Sequence, residues 1–154
     1  MKARFVNPFI NAAIYTLHQF FSETMIDRGT ASVVSTLPSC RGIAAELEFF
    51  GELEGQVIYF LDRNTCLDIA SELNDSEIKE LGEIARETVS ELANIITGQS
   101  AIRLQAEDCE IDISTPSLHV GIPADKWQFD SQKIIHYPLR TDYGDLEIHL
   151  LFEG

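Results

Sequence analysis

The spacing of apolar residues along the chain has two periods, and each period predicts a different kind of element. Helical spacing of apolar residues, three and four positions apart, predicts three helices. The first opens at Asn7-Pro8, where an N-cap residue precedes a proline suited to the first helical turn, and it is expected to end near Thr24. A short helix is predicted over 64–73 and a long one over about 77–104.

Segments rich in β-branched and aromatic residues, bounded by turn residues, predict six strands. Residues 51–54 and 143–145 read as tight turns between neighbouring strands. The predicted strands are 30–36, 42–50, 55–61, 109–121, 127–140 and 146–152.

The order of these elements predicts an α+β fold. A helix and three strands are followed by a short helix, a long helix and three more strands, so the two halves roughly repeat one another. Runs of consecutive strands favour antiparallel pairing, with two long helices and a short one on a sheet of about six strands. Because no Pro/Gly/Ser-rich linker divides the chain, we expect residues 1–154 to form a single domain.

Charge and cysteine content narrow the classes of function. Asp and Glu outnumber Lys and Arg by 25 to 11, for a net charge of −14, which disfavours nucleic acid and anionic membranes as partners. Solubility alone would also explain this charge. No run of 18 apolar residues predicts a membrane span. The 3 cysteines and 4 histidines lack metal-ligand spacing, so we expect reduced thiols in the cytoplasm and no metal or cofactor bound by the chain.

One stripe of the long helix is a candidate for chemistry. At 100° per residue, Glu87, Glu91, Asn94 and Gly98 fall within about 60° of one another and away from the apolar face. Asn costs a helix interior about 0.5 kcal/mol and Gly about 1 kcal/mol relative to Ala. Their presence here therefore favours a surface that presents an amide to a closely approaching partner. An ordinary solvated acidic face is the alternative.

The segment Glu91-Leu92-Ala93-Asn94, followed by Gly98, resembles the active-site helix of the CheC/CheX/FliY phosphatase family. That family carries Asp or Ser, then E-x-x-N, then a proline about twenty residues on, a position that Pro116 matches. The opening segment Arg4-Phe5-Val6-Asn7-Pro8-Phe9 also resembles CheX proteins. CheC-type members carry E-x-x-N on two helices, but here Asn11 is preceded by Pro8, which indicates the CheX type.

The segment departs from the family pattern at three positions. Glu87 stands in place of Asp or Ser, Ala93 in place of a glycine, and Pro116 comes one residue early. The methyl group of Ala93 is expected to crowd a close-fitting partner.

The resemblance implies a phosphatase that acts on the phosphoaspartate of a CheY-like receiver domain, with Mg²⁺ held by that receiver. Asn94 would position the attacking water and Glu91 would pair with the receiver's active-site lysine. Glu87 and Gly98 would contribute to partner binding. The resemblance also implies a homodimer, for which the strands from Trp127 onward offer a candidate sheet edge.

Two other functions remain open from the sequence. The chain could be a CheX-like module that binds a signalling partner without hydrolysing anything, which the Glu87 and Ala93 departures favour. It could also be a structural homodimer whose acidic helix face is merely solvated.

Overall fold

A computed structural model describes residues 3–128 and 133–153. Three α-helices and eight strands are present in this part of the chain, with a short 3₁₀ turn at Ala124–Lys126. None of these helices is long and apolar enough to cross a bilayer. The helices are α1 (Ala3–Phe20), α2 (Arg63–Asn74) and α3 (Glu83–Ala106). The strands are β1 (Ile26–Arg28), β2 (Ser32–Val34), β3 (Cys40–Gly51), β4 (Gly55–Leu61), β5 (Ile111–Ile113), β6 (Ser117–Ile122), β7 (Ile134–Thr141) and β8 (Gly144–Phe152).

The eight strands form one sheet in which the pairings are antiparallel, as predicted. The β3–β4 and β7–β8 hairpins lie side by side through the β4–β8 pairing. Strands β1 and β2 pair with β7, and β5 and β6 pair with β3. Each half of the chain therefore adds two short strands to the hairpin of the other half.

The strand count is eight rather than about six because one predicted strand is divided into two short ones and one short strand was not predicted. The predicted strand 109–121 is divided into β5 and β6 around Pro116, which has no N–H to donate to a ladder. The predicted strand 30–36 corresponds only to β2, and β1 lies upstream of it. The sheet edge predicted from Trp127 onward is wrong, because β7 is covered by β1 and β2 on one side and by β8 on the other.

Three helices lie on one face of this sheet. Alternate residues of β4 face them, so that Val57, Tyr59 and Leu61 join the main core while Ile58 and Phe60 join a smaller cluster on the opposite face. Helix α1 packs along α3, and α3 also lies against β3, β5 and β6. The alternation follows from the two-residue period of a strand, which sends neighbouring side chains to opposite faces.

The first helix begins earlier than its proline suggests. It starts at Ala3 and ends at Phe20, so Pro8 lies inside it rather than at its start. Val6 is buried and Phe5 packs against the core, so tertiary contacts stabilise a turn that contains no sequence start signal. Pro8 removes only one backbone donor, close to the helix N-terminus.

The long helix begins at Glu83, six residues later than predicted, and extends to Ala106. Asp75 takes a left-handed conformation (φ 48°) that ends α2, and Gly82 is the N-cap of α3. Between them, the Ile78 N–H donates to the Ser71 Oγ at 2.9 Å, which holds this segment against α2. Leu81, which lies within the range predicted for the long helix, instead packs on the core from this connecting segment.

Candidate active site

The stripe of polar residues predicted on α3 faces away from the core. Glu87, Glu91 and Asn94 are exposed. The opposite face of the helix is buried, with Val89 and Ile96 each 1% exposed. Glu91 and Asn94 are separated by three residues, or about 4.5 Å along the helix axis, so both point to the same side one turn apart.

Both side chains line an open groove of about 660 Å³ between the N-terminal half of α3 and the segment that connects β5 to β6. One wall comes from the helix and the other from the connecting segment and the start of β6. The helix wall is formed by Glu83, Arg86, Glu87, Ser90, Glu91 and Asn94. The second wall is formed by Thr115, Pro116 and Leu118.

The second wall is held in place by its attachment to β3. Ser114 accepts a hydrogen bond from the Glu48 N–H at 2.8 Å through its hydroxyl, and its own N–H donates to the Glu48 carbonyl at 2.9 Å. Strands β5 and β6 also pair with β3 on either side of this attachment. Pro116 is therefore held in the wall across the groove from Asn94.

A buried hydrogen bond sets how α3 is rotated on the sheet. The Tyr59 and Thr97 hydroxyls are 2.8 Å apart, and the Thr97 hydroxyl donates to the Ala93 carbonyl, also at 2.8 Å. The Tyr59 phenol is therefore the donor, and burial raises its pKa above the ordinary value, so it stays protonated. At 100° per residue, Asn94 lies about 60° and Glu91 about 120° around the helix from Thr97, so with Thr97 pointing inward the two site residues point progressively away from the core.

Two small residues beside the pair have different environments. Ala93 is 2% exposed and belongs to the core, so its methyl group cannot crowd a partner, contrary to our expectation from the sequence. Gly98 is half-buried, lies one turn beyond Asn94 and is not part of the groove wall. Apart from the helix's own adjacent backbone, a Cβ at Gly98 would meet no atom of the described residues within 4 Å, so their packing does not require a glycine there.

The chemistry of the groove is that of carboxylates around an amide. Three glutamates and one arginine contribute charge, and Ser90 and Thr115 contribute hydroxyls. Nowhere in residues 3–128 and 133–153 do three or more His, Cys, Asp or Glu residues form a group suited to a metal ion. Such a groove can orient a water or a polar group through the amide and bind cationic groups through its carboxylates.

The first helix has no equivalent of this pair. Pro8, which occupies the position of the glutamate, is buried, and Asn11 corresponds to the asparagine. The Asn11 Oδ1 accepts a hydrogen bond from the Arg28 Nη2 at 2.8 Å, so its carbonyl is already engaged.

The stripe predicted from the sequence did not include three of the residues that line the helix wall: Glu83, Arg86 and Ser90. Ser90 and Arg86 lie one turn and about two turns before Asn94, so helical spacing alone would have placed them on the same side of the helix. No spacing in the sequence could have placed Thr115 and Leu118 beside the helix, because their position in the groove depends on strand pairing.

Solved structures define the class of fold. A CheC-like superfamily protein from Shewanella sp. PV-4 matches with a TM-score of 0.88 over 100% of both chains, at 21% identity. CheX in a CheX-CheY-BeF₃-Mg²⁺ complex from Borrelia burgdorferi matches with a TM-score of 0.79 over 97% of this chain and 98% of that one, at 25% identity. The fold is thus that of the CheC-like proteins, as the sequence predicted.

Sequence comparison identifies the family within that class. Residues 43–139 match the family model described as chemotaxis phosphatase CheX, and the chain belongs to that family. The CheY-P phosphatase CheX of Thermotoga maritima is 27% identical over 122 residues, which cover 79% of this chain and 78% of that protein.

Proposed function

We propose that this chain removes the phosphoryl group from the phosphoaspartate of a CheY-like receiver, with Asn94 orienting the attacking water and Glu91 binding the receiver. The enzyme class is that of the family, a protein phosphatase. The observation that carries the proposal is the placement of Glu91 and Asn94, both exposed and both on one wall of the same groove.

Catalysis of this reaction depends mainly on how the water and the phosphoryl group are positioned. Water attacks the phosphorus, the bond from phosphorus to the aspartyl oxygen breaks, and the products are inorganic phosphate and a free carboxylate. Because the acyl phosphate already has a good leaving group, catalysis depends on in-line geometry and on stabilising charge. The neutral Asn94 amide can hold a water without adding negative charge next to the phosphoryl oxygens.

The remaining roles concern the encounter with the receiver. Glu91, one turn before Asn94, would pair with the receiver's active-site lysine, and Glu87 would add to docking from the same wall. Gly98 would let the partner approach the helix closely, since none of the residues that the structure describes fills the space above it. Mg²⁺ would be held by the receiver and not by this chain.

The test compares phosphate release from a receiver charged with acetyl phosphate. Asn94→Ala should abolish the acceleration and leave the melting temperature nearly unchanged, because the side chain is exposed. Asn94→Asp, which adds a charge that repels the phosphoryl group, should fail as well. Asn11→Ala on α1 is the matched control and should retain wild-type hydrolysis. Wild-type rates in Asn94→Ala would refute the assignment.

A binding module without hydrolysis is the second candidate, and Glu87 favours it. Where the family has Asp or Ser, this longer carboxylate brings a third negative charge to the groove, together with Glu83 and Glu91. This function predicts binding to a BeF₃⁻-charged receiver without any change in its phosphorylation lifetime. A module that only dimerises predicts neither binding nor hydrolysis.

We further propose that residues 1–154 act as one cytoplasmic domain and form a homodimer. A single sheet carries strands of both halves, which supports one domain. Val33 on β2 is 65% exposed and Val120 on β6 is 45% exposed, so both outer parts of the sheet offer apolar surface to a second copy. Light scattering should give twice the chain mass, and a monomer at all concentrations would contradict the dimer.

A further inference from the structure

Arg86 is the only cation that lines the groove within the described part of the chain. It is the fourth residue of α3, between Glu83 and Glu87 in sequence. Among the described residues, no carboxylate lies within ion-pair distance of its guanidinium. Its one hydrogen bond is a long one, from Nε to the Gly82 carbonyl at 3.3 Å. The terminal nitrogens of the guanidinium are therefore available to a partner.

The position of Arg86 is not explained by helix stability. A positive side chain near a helix N-terminus opposes the helix dipole, which favours negative groups there. Arg86 is also exposed, so it contributes no core packing. A cation kept at an unfavourable end of the helix, in a groove of carboxylates, points to an anionic group supplied from outside.

Helix geometry decides which anionic group this can be. Arg86 precedes Asn94 by eight residues, which is about 12 Å along the helix axis. Helical side chains lean toward the N-terminus, and the bond to Gly82 holds this one in that direction, away from Asn94. A phosphoryl group within reach of a water on Asn94 would thus lie too far from Arg86 for direct contact.

We propose that Arg86 is a docking residue that pairs with a carboxylate on the receiver's surface, beside its phosphorylation site. This inference rests on the proposed function, in which the receiver lies over the groove. An arginine suits the role because its planar fork can bind both oxygens of a carboxylate. Arg86 would then favour receivers that carry an acidic side chain opposite it and reject those that carry a basic one.

The experiment separates docking from catalysis by measuring KM and kcat for the phosphorylated receiver. Arg86→Ala should raise KM about 1.5- to 5-fold, as expected for an exposed ion pair, and leave kcat unchanged. Arg86→Lys should restore most of the affinity, and Arg86→Glu should weaken it further. Arg41→Ala, which removes an exposed arginine outside the groove, is the control and should behave as the wild type.

The salt dependence of KM distinguishes docking from a purely structural role of Arg86, which would leave that dependence unchanged. Added NaCl should raise the wild-type KM more than the Arg86→Ala KM, since the variant has lost an attractive pair. A fall in kcat with KM unchanged would overturn the proposal in favour of a phosphoryl contact. Equal KM values for Arg86→Ala and Arg41→Ala would also overturn it.

Failure of the proposed function can be told apart from failure of this inference. If the wild type does not shorten the receiver's phosphorylation lifetime, the proposed function fails. Arg86 is then tested by the dissociation constant for a BeF₃⁻-charged receiver, with the same variants, control and salt series. A dissociation constant that does not change with Arg86→Ala refutes the docking role in that case too.

Discussion

Replacing Gly98 should make the protein more stable and worse at binding its receiver. The residue lies in the interior of α3, and beyond the helix's own adjacent backbone a Cβ there would meet no atom within 4 Å in the described part of the chain. Ala should thus add the full difference in helix propensity, about 1 kcal/mol, to the free energy of unfolding. For a chain of this size, that corresponds to a rise in melting temperature of about 2–4 °C.

Two variants at position 98 separate the effect of helix propensity on stability from the effect of side-chain size on receiver binding. Ala and Leu have similar helix propensities, so Gly98→Ala and Gly98→Leu should both stabilise the fold. If a partner approaches the backbone at Gly98, KM for the phosphorylated receiver should rise for Ala and rise further for Leu. Asp68→Ala, at an exposed position of α2, is the control and should leave KM unchanged.

Thermal unfolding and steady-state phosphate release are the two assays. Loss of stability in Gly98→Ala would refute the structural part of the reasoning, because it would mean that the added methyl group has a close neighbour. A KM that is equal for Gly, Ala and Leu would refute the functional part, since no partner surface would then lie over this position.

Two further predictions concern stability. Tyr59→Phe should lower the free energy of unfolding by about 1 kcal/mol. Thr97→Val should lower it by about 1–3 kcal/mol, because it leaves the buried Tyr59 hydroxyl without an acceptor. Urea denaturation of both variants measures these changes. His149 is buried, and burial first, then the nearby His136, lowers its pKa to about 4. Below pH 6.5 the unfolded chain therefore binds a proton that the folded chain does not, so stability should fall by about 2 kcal/mol between pH 7 and pH 5. His149→Leu should abolish that part of the pH dependence, and an unchanged profile in this variant would contradict the assignment.

The fold class and the face of α3 that carries Glu91 and Asn94 could be predicted from sequence because they depend on local periodicity. Helix geometry fixes the angle between positions 91 and 94 whatever the helix packs against. Runs of adjacent strands likewise favour antiparallel pairing before any partner is known. The resemblance to a phosphatase family supplied roles that periodicity alone could not assign.

Element boundaries and neighbours were less accessible to sequence reasoning. The turns before Pro8 in α1 are stabilised by contacts of Phe5 and Val6 with the core, and they carry no start signal. Ala93 was expected to face a partner, yet it faces the core. The sheet edge was misplaced because β7 pairs with β1 and β2, which lie a hundred or more residues earlier in the chain.

The sequence by itself determined that a carboxylate and an amide share one exposed face of a long helix, since 3.6 residues per turn leave no other arrangement. Only the tertiary structure decided that this face borders a groove. Its opposite wall, at Pro116, is attached through Ser114 to Glu48, 66 residues away in sequence. Contacts between such distant segments depend on which strands pair and in which register, and the period of a single strand does not contain that information.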